Sequence, residues 1–143
     1  MIATISPQPA YTRTIEWAKQ TTVARAAICQ SAERTRWSAV IRSLLELRAL
    51  QDDWDGEGSD APLPEVHESA VRLAEFLRDR GVKWPDSAVA SRAGTVIFTW
   101  RDGKLYQEIE VVGPGKYEWL AIDDTGGNTH GAFSLSLGEN DIY

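Results

Sequence analysis

The densest chemistry in the chain is Asp52-Asp53-Trp54-Asp55-Gly56-Glu57-Gly58-Ser59-Asp60, where five carboxylates fall within nine residues. Such a loop between two helical patterns has the ingredients of a hard-cation site, because calcium takes six to eight oxygen ligands from closely spaced acids. An EF-hand register starting at Asp53 places Asp53, Asp55 and Glu57 at the first three ligand positions, with Gly58 at the sixth. The match then breaks: the eighth position is Asp60, and the twelfth, which should supply a bidentate carboxylate, is Pro64, with Glu65 one residue late. Asp53, Asp55 and Glu57 are therefore weak metal candidates, and no metal is assigned. Two other readings compete. The aspartates can cap backbone amides in a turn whose glycines take unusual dihedrals while Trp54 plugs the end of the core. Alternatively, the carboxylates form a recognition surface for a basic partner.

Other reactive types are sparse. There are two histidines, His67 and His130, and no spacing pairs either with a nucleophile and an orienting acid. His67 beside Glu68 reads as a surface residue at a helix start. His130 with Asp123 and Asp124 in a glycine-rich stretch lacks the fixed geometry a metal needs. Asp52/Asp53, Glu108/Glu110 and Asp123/Asp124 are paired carboxylates, but acid–base work needs two of them in a cleft with separated pKa values. Gly113-Pro114-Gly115-Lys116 lacks the glycine spacing and the Ser or Thr of a phosphate loop. No catalytic residue and no cofactor are expected.

These residues sit in a chain of 143, the length of one domain, with 43% hydrophobic residues and six tryptophans. The tryptophan count points to aromatic-anchored packing or binding. Net charge is -6, but unevenly spread: residues 1–51 carry seven basic and three acidic side chains, and the remainder eight and eighteen. An acid excess of this kind repels nucleic acid and anionic membranes. Cys29 is the only cysteine, so no intramolecular disulfide or cysteine-based zinc cluster forms, which fits a reducing, cytoplasmic setting. No apolar run is long enough for a membrane span, and no signal peptide opens the chain.

The elements that must position the acids follow from periodicity. Residues 1–20 read as an N-terminal arm. Residues 31–51 carry Trp37, Val40, Ile41, Leu44 and Leu47 at helical spacing, with Ser31 as a candidate N-cap. A second helix over 64–80 begins at Pro64, buries Val66, Ala70, Leu73, Ala74 and Leu77, and stops at Gly81. From residue 94 the period becomes two, giving an antiparallel sheet over 94–137. Asp102-Gly103 predicts a hairpin with Trp100 opposite Leu105, Phe98 opposite Gln107 and Val96 opposite Ile109 on the core face. A turn at Gly113-Pro114-Gly115 leads to a third strand whose Leu120 and Ile122 extend that face, leaving Tyr117 and Trp119 on the other. Asp123 to Gly131 reads as a mobile loop, and Phe133, Leu135 and Leu137 as a short fourth strand. The expected fold is a single α+β domain, two helices on one face of a three- to four-stranded antiparallel meander.

The order DWDGEGS, a proline-led helix EVHESAVRLAEFL, the strand GTVIFTW and the strand LYQEIEV resembles a widespread family of small uncharacterised bacterial proteins with a W-D-G-x-G motif. The resemblance spans about residues 44–122 and omits the arm and the last twenty residues. It implies a bacterial or phage origin and one compact domain, and it brings no activity to Trp54, Asp55, Gly56 or Gly58.

The functional expectation is a non-catalytic protein-binding module, accessory, antitoxin-like or immunity-like, holding a basic partner. Its contact residues are Tyr106, Glu108, Glu110, Tyr117 and Trp119 on the outer sheet face, beside Glu118, with Asp53, Asp55 and Glu57 in the loop. Self-association through the same aromatics is the competing use of that face. The alternative is a nucleic-acid-associated regulator using Arg25, Arg34, Arg36 and Arg42 of the basic N-terminal part, with Arg48, Trp17 and Trp37 nearby.

Overall fold

The computed structural model describes residues 30–135. The expected N-terminal arm, Trp17 and Arg25 lie outside them. Helix α1 (Gln30–Glu46) runs into a single 3-10 turn at Leu47–Ala49 and is followed by the acidic loop and helix α2 (Pro64–Asp79). Five strands follow: β1 (Ser87–Ala90), β2 (Val96–Asp102), β3 (Leu105–Gly113), β4 (Lys116–Ile122) and β5 (Asn128–Ser134). They form one antiparallel sheet in the order β1-β2-β3-β4-β5. The class is α+β, with five strands among the described residues in place of the three or four expected.

The helix readings differ from the structure mainly at their ends. Ser31 lies inside α1 rather than capping it, and α1 gives way to the 3-10 turn four residues before the expected stop. In α2, Pro64 opens the first turn behind an extended Leu63, and all five predicted stripe residues are buried. His67, expected on the surface, is also buried, its Nε2 2.6 Å from the Leu44 carbonyl where α1 ends. A single cluster joins Trp37, Val40 and Leu44 of α1, the α2 stripe, and one face of the sheet. Leu44 and Leu73 are completely buried within it, each contributing about 1.5–3 kcal/mol by loss of apolar surface from water. Trp37 donates to the Val82 carbonyl and Trp100 to that of Lys83, pinning the chain that leads from α2 into β1. Tyr117 donates to the Ser69 carbonyl, and Ser69 Oγ accepts from Gly115, which ties α2 to β4.

Strand β1 escapes sequence reading because four residues are too few to show a period. The β2–β3 hairpin is displaced by one residue on each arm: Asp102 faces Leu105, and Phe98 faces Ile109. Gly103 takes φ +58° as the first turn residue, the single left-handed position of a II′ turn rather than the two of a I′ turn. Each strand's side chains keep their faces, because each partner moves by two residues.

The β3–β4 hairpin reverses an expectation. Gly113 pairs with Lys116 across a two-residue turn, but Tyr117 pairs with Val111, so Val112 is an extra residue on β3. Without it, Val111 would face Glu118 and Ile109 would face Leu120. With it, the faces of β4 are exchanged, since one residue of slip carries every side chain to the opposite side. Tyr117 and Trp119 consequently join the core, and Leu120 and Ile122 move outward. The segment Asp123 to Gly131 is also shorter as a loop than expected. Asp123 Oδ1 accepts from the Thr125 amide, the Thr125 hydroxyl and the Gly127 amide, which closes a compact turn and lets β5 begin at Asn128. These bonds hold the Asp123 carboxyl below the usual carboxylate range, the Thr125 hydroxyl first.

Candidate functional site

The acidic loop folds its carboxylates inward. Asp53 Oδ1 accepts from the Gly58 amide at 2.7 Å, and Asp52 Oδ1 accepts from the Ala61 amide at 3.0 Å. Asp55 Oδ1 accepts from the amides of Glu57 and Ser59, while its Oδ2 accepts from the Ser59 hydroxyl. Gly56 and Gly58 take φ of +75° and +83°, and Asp53 itself is left-handed at +66°, the backbone such a tight cradle needs. Arg92, from the connection between β1 and β2, closes the arrangement. Its guanidinium lies 2.9 Å from Glu57 and 3.5 Å from Asp55, and its Nε donates to Ser59 Oγ. The Asp60 amide donates to the Arg92 carbonyl and Asp60 bridges Ala93. The Ser59 hydroxyl above all, then the Glu57 amide, holds the Asp55 carboxyl below its ordinary range.

This geometry is that of an amide-capping turn latched to the sheet. Trp54 does not plug the core: it is 37% exposed and donates to the Asp60 carbonyl, lying along the loop. Among the described residues, no group of three or more His, Cys, Asp or Glu is arranged to hold a metal. Asp53 and Asp55 are thus turned onto backbone amides of the loop, while Glu57 stays exposed and pairs with Arg92.

The second acidic region is the face of the sheet that no helix among the described residues covers, where alternation places Ile97 and Thr99 on β2, Tyr106, Glu108 and Glu110 on β3, and Glu118, Leu120 and Ile122 on β4. Glu110 lies directly opposite Glu118, and Glu108 opposite Leu120. The three glutamates line a hollow of about 530 Å³ together with Leu120 and His130. Tyr106 donates to Glu108 at 2.6 Å and Thr95 donates to Glu110 at 2.6 Å, so two of the carboxylates are oriented by neutral donors. None of the three is in an ion pair with a described residue. The bond to Glu108, then burial, raises the Tyr106 phenol above its ordinary range, and Arg101 stacks 4.8 Å from the Tyr106 ring centre.

Of the expected outer-face residues, Tyr106, Glu108 and Glu110 are brought together there. Tyr117 and Trp119 are not, being 1% and 9% exposed on the buried face. Burial pushes the Tyr117 phenol up to about 12. Glu118, expected beside Glu108 and Glu110, does lie with them, and Leu120 and Ile122, expected on the core face, join the site because of the bulge at Val112. The basic candidates are dispersed. Two residues of helix separate Arg34 from Arg36, about 160° around the axis; Arg36 lies 5.9 Å from the Trp84 ring, whereas Arg34 lines a cleft with Glu33, Arg78 and Asp79. No helix among the described residues is long and apolar enough to cross a membrane. No family model matches the chain, and neither a curated protein nor a solved structure is significantly similar to it.

Proposed function

We propose that this chain is a non-catalytic protein-binding module that holds a basic partner on the open face of its sheet. One observation carries the reading: Glu108, Glu110 and Glu118 lie together on that face with no cationic side chain of the described residues paired to them. Like charges directly opposite on a strand pair oppose pairing, and local conflicts of this kind concentrate where a protein meets something else. Ile97, Leu120 and Ile122 beside the acids supply apolar area, and Tyr106 an aromatic anchor, the mixture that marks interface centres. The contact set is therefore Tyr106, Glu108, Glu110, Glu118, Leu120 and Ile122. Asp53, Asp55 and Glu57 leave it because their oxygens hold the loop. The separation of Arg34 from Arg36 around α1 gives the nucleic-acid reading no support.

The test is affinity capture from the native host using the full chain and a variant with Glu108→Gln, Glu110→Gln and Glu118→Gln. Glutamine keeps an acceptor for Tyr106 and Thr95, so folding should be retained. A basic protein recovered at equal stoichiometry with the parent and lost with the variant supports the reading. Recovery unchanged by the variant, or a homodimer in light scattering that excludes other proteins, overturns it.

A further inference from the structure

We infer that the free edge of β5 is a docking edge that accepts an extended segment of the basic partner as a sixth strand, a mode that rests on the reading above. Among the described residues β5 has one neighbour, β4, and its seven residues, Asn128–Ser134, include no Lys, Arg, Asp, Glu or Pro. Natural sheets usually blunt such an edge with charge, proline or brevity. The opposite edge does so: β1 has four residues and follows Pro85.

An independent feature marks the same edge. Trp37, Trp54 and Trp100 each donate an indole N–H to a backbone carbonyl, but Trp119 Nε1 is buried and has no acceptor. A buried indole N–H ordinarily finds a partner, and leaving one unmade costs more than making it gains. Trp119 pairs with Gly131 of β5, and its Nε1 lies only 2.6 Å from where a Cβ on Gly131 would stand. The donor therefore overhangs the one position of β5 without a side chain. A strand added beside β5 would set its own side chain next to Gly131 on the same face, about 5 Å away, the ordinary cross-strand separation. A hydroxyl or amide oxygen there reaches the indole.

On the open face the same strand would flank Asn128, His130 and Ala132. Ala132 is the small residue between the edge and Glu118, so a Lys or Arg from the added strand can extend across it to the carboxylates. A second copy's β5 would bring Asn128, His130, Ala132 and Ser134 to that face and no Lys or Arg, so a basic segment is the better occupant. Backbone bonds supply the affinity, and alternating side chains the selectivity.

The probes are three capped heptapeptides, alternating Lys-Thr, Lys-Val and Glu-Thr, titrated into the isotopically labelled full chain and followed by NMR. The Lys-Thr peptide should move the Gly131 amide and the Trp119 indole N–H, and should bind at least tenfold more tightly than the Glu-Thr peptide. It should also exceed Lys-Val about fivefold, the factor for one hydrogen bond. Trp119→Phe should abolish the Thr-over-Val preference while leaving the charge preference; should that variant fold poorly, the wild-type indole resonance gives the same information. Shifts at Glu108, Glu110 and Glu118 with Gly131 and Trp119 unmoved overturn strand addition but leave face binding intact. Equal binding by peptides of either charge, or no binding by any of them, also overturns it.

Discussion

Two parts of this protein are rich in acid, and they use it in opposite ways. In the loop from Asp52 to Asp60 the carboxylates are spent locally: Asp52, Asp53 and Asp55 accept from amides, and Arg92 answers Asp55 and Glu57. On the sheet, Glu108, Glu110 and Glu118 are held beside one another with neutral donors only. Sequence density of charge is therefore a poor guide to an interface; what separates the regions is whether the backbone nearby has amides needing acceptors. A helix-to-helix turn has many, whereas a strand interior has spent its amides on the ladder.

The contrast can be broken most forcefully at the residues that changed sides. Tyr117→Ala should cost about 3–5 kcal/mol in denaturant unfolding, as aromatic truncation in a core does, whereas Tyr106→Ala should leave stability within about 0.5 kcal/mol and weaken the captured partner. Equal losses at both would erase the distinction between the faces. Ser59→Ala removes the hydroxyl shared by Asp55 and Arg92 and should lower the unfolding midpoint slightly, with partner affinity unchanged. The three Glu→Gln changes on the sheet should do the reverse, lowering affinity roughly tenfold while the unfolding midpoint stays level or rises.

The smallest and most diagnostic effects are those of pH. Asp55 has its folded pKa depressed, so its contribution is present above the unfolded carboxylate value near 3.9 and fades as pH falls through the lower folded value. Amide exchange at Glu57 and Ser59, whose N–H groups donate to Asp55, should quicken in that acid window before the sheet opens. Tyr117 has its folded pKa raised to about 12, so its contribution is complete below the unfolded value near 10 and is lost as pH climbs from there through about 12. Alkaline unfolding followed by phenolate absorbance should show that delay, and Tyr117→Phe should remove it.

Much of the fold was legible from period alone: α2 from Pro64 with its full buried stripe, the buried positions of β2 and β3, and the class itself. The site was legible only in part. Tyr106, Glu108 and Glu110 follow from simple alternation within β3, which does not depend on its neighbour. The residues of β4 depend on pairing, and Val112 gives no signal in one sequence that it is the extra residue of a bulge. The amide-capping turn was legible in the loop's aspartates and glycines, whereas the outward lie of Trp54 was not, and the choice between amides, a cation and a partner is decided by the dihedrals at Asp53, Gly56 and Gly58. Arg92 completes that arrangement from far along the chain, and no local pattern announces it.

The Arg92 latch also has a kinetic meaning. Its bond to Ser59 spans 33 residues and its contact with the Glu57 carbonyl 35, so both require α2 to be in place and the β1–β2 hairpin to have closed. Contacts between such distant positions form only after the intervening loop entropy has been overcome. The acidic turn should therefore be among the last segments to gain protection during refolding, its amides reporting when helices and sheet have met.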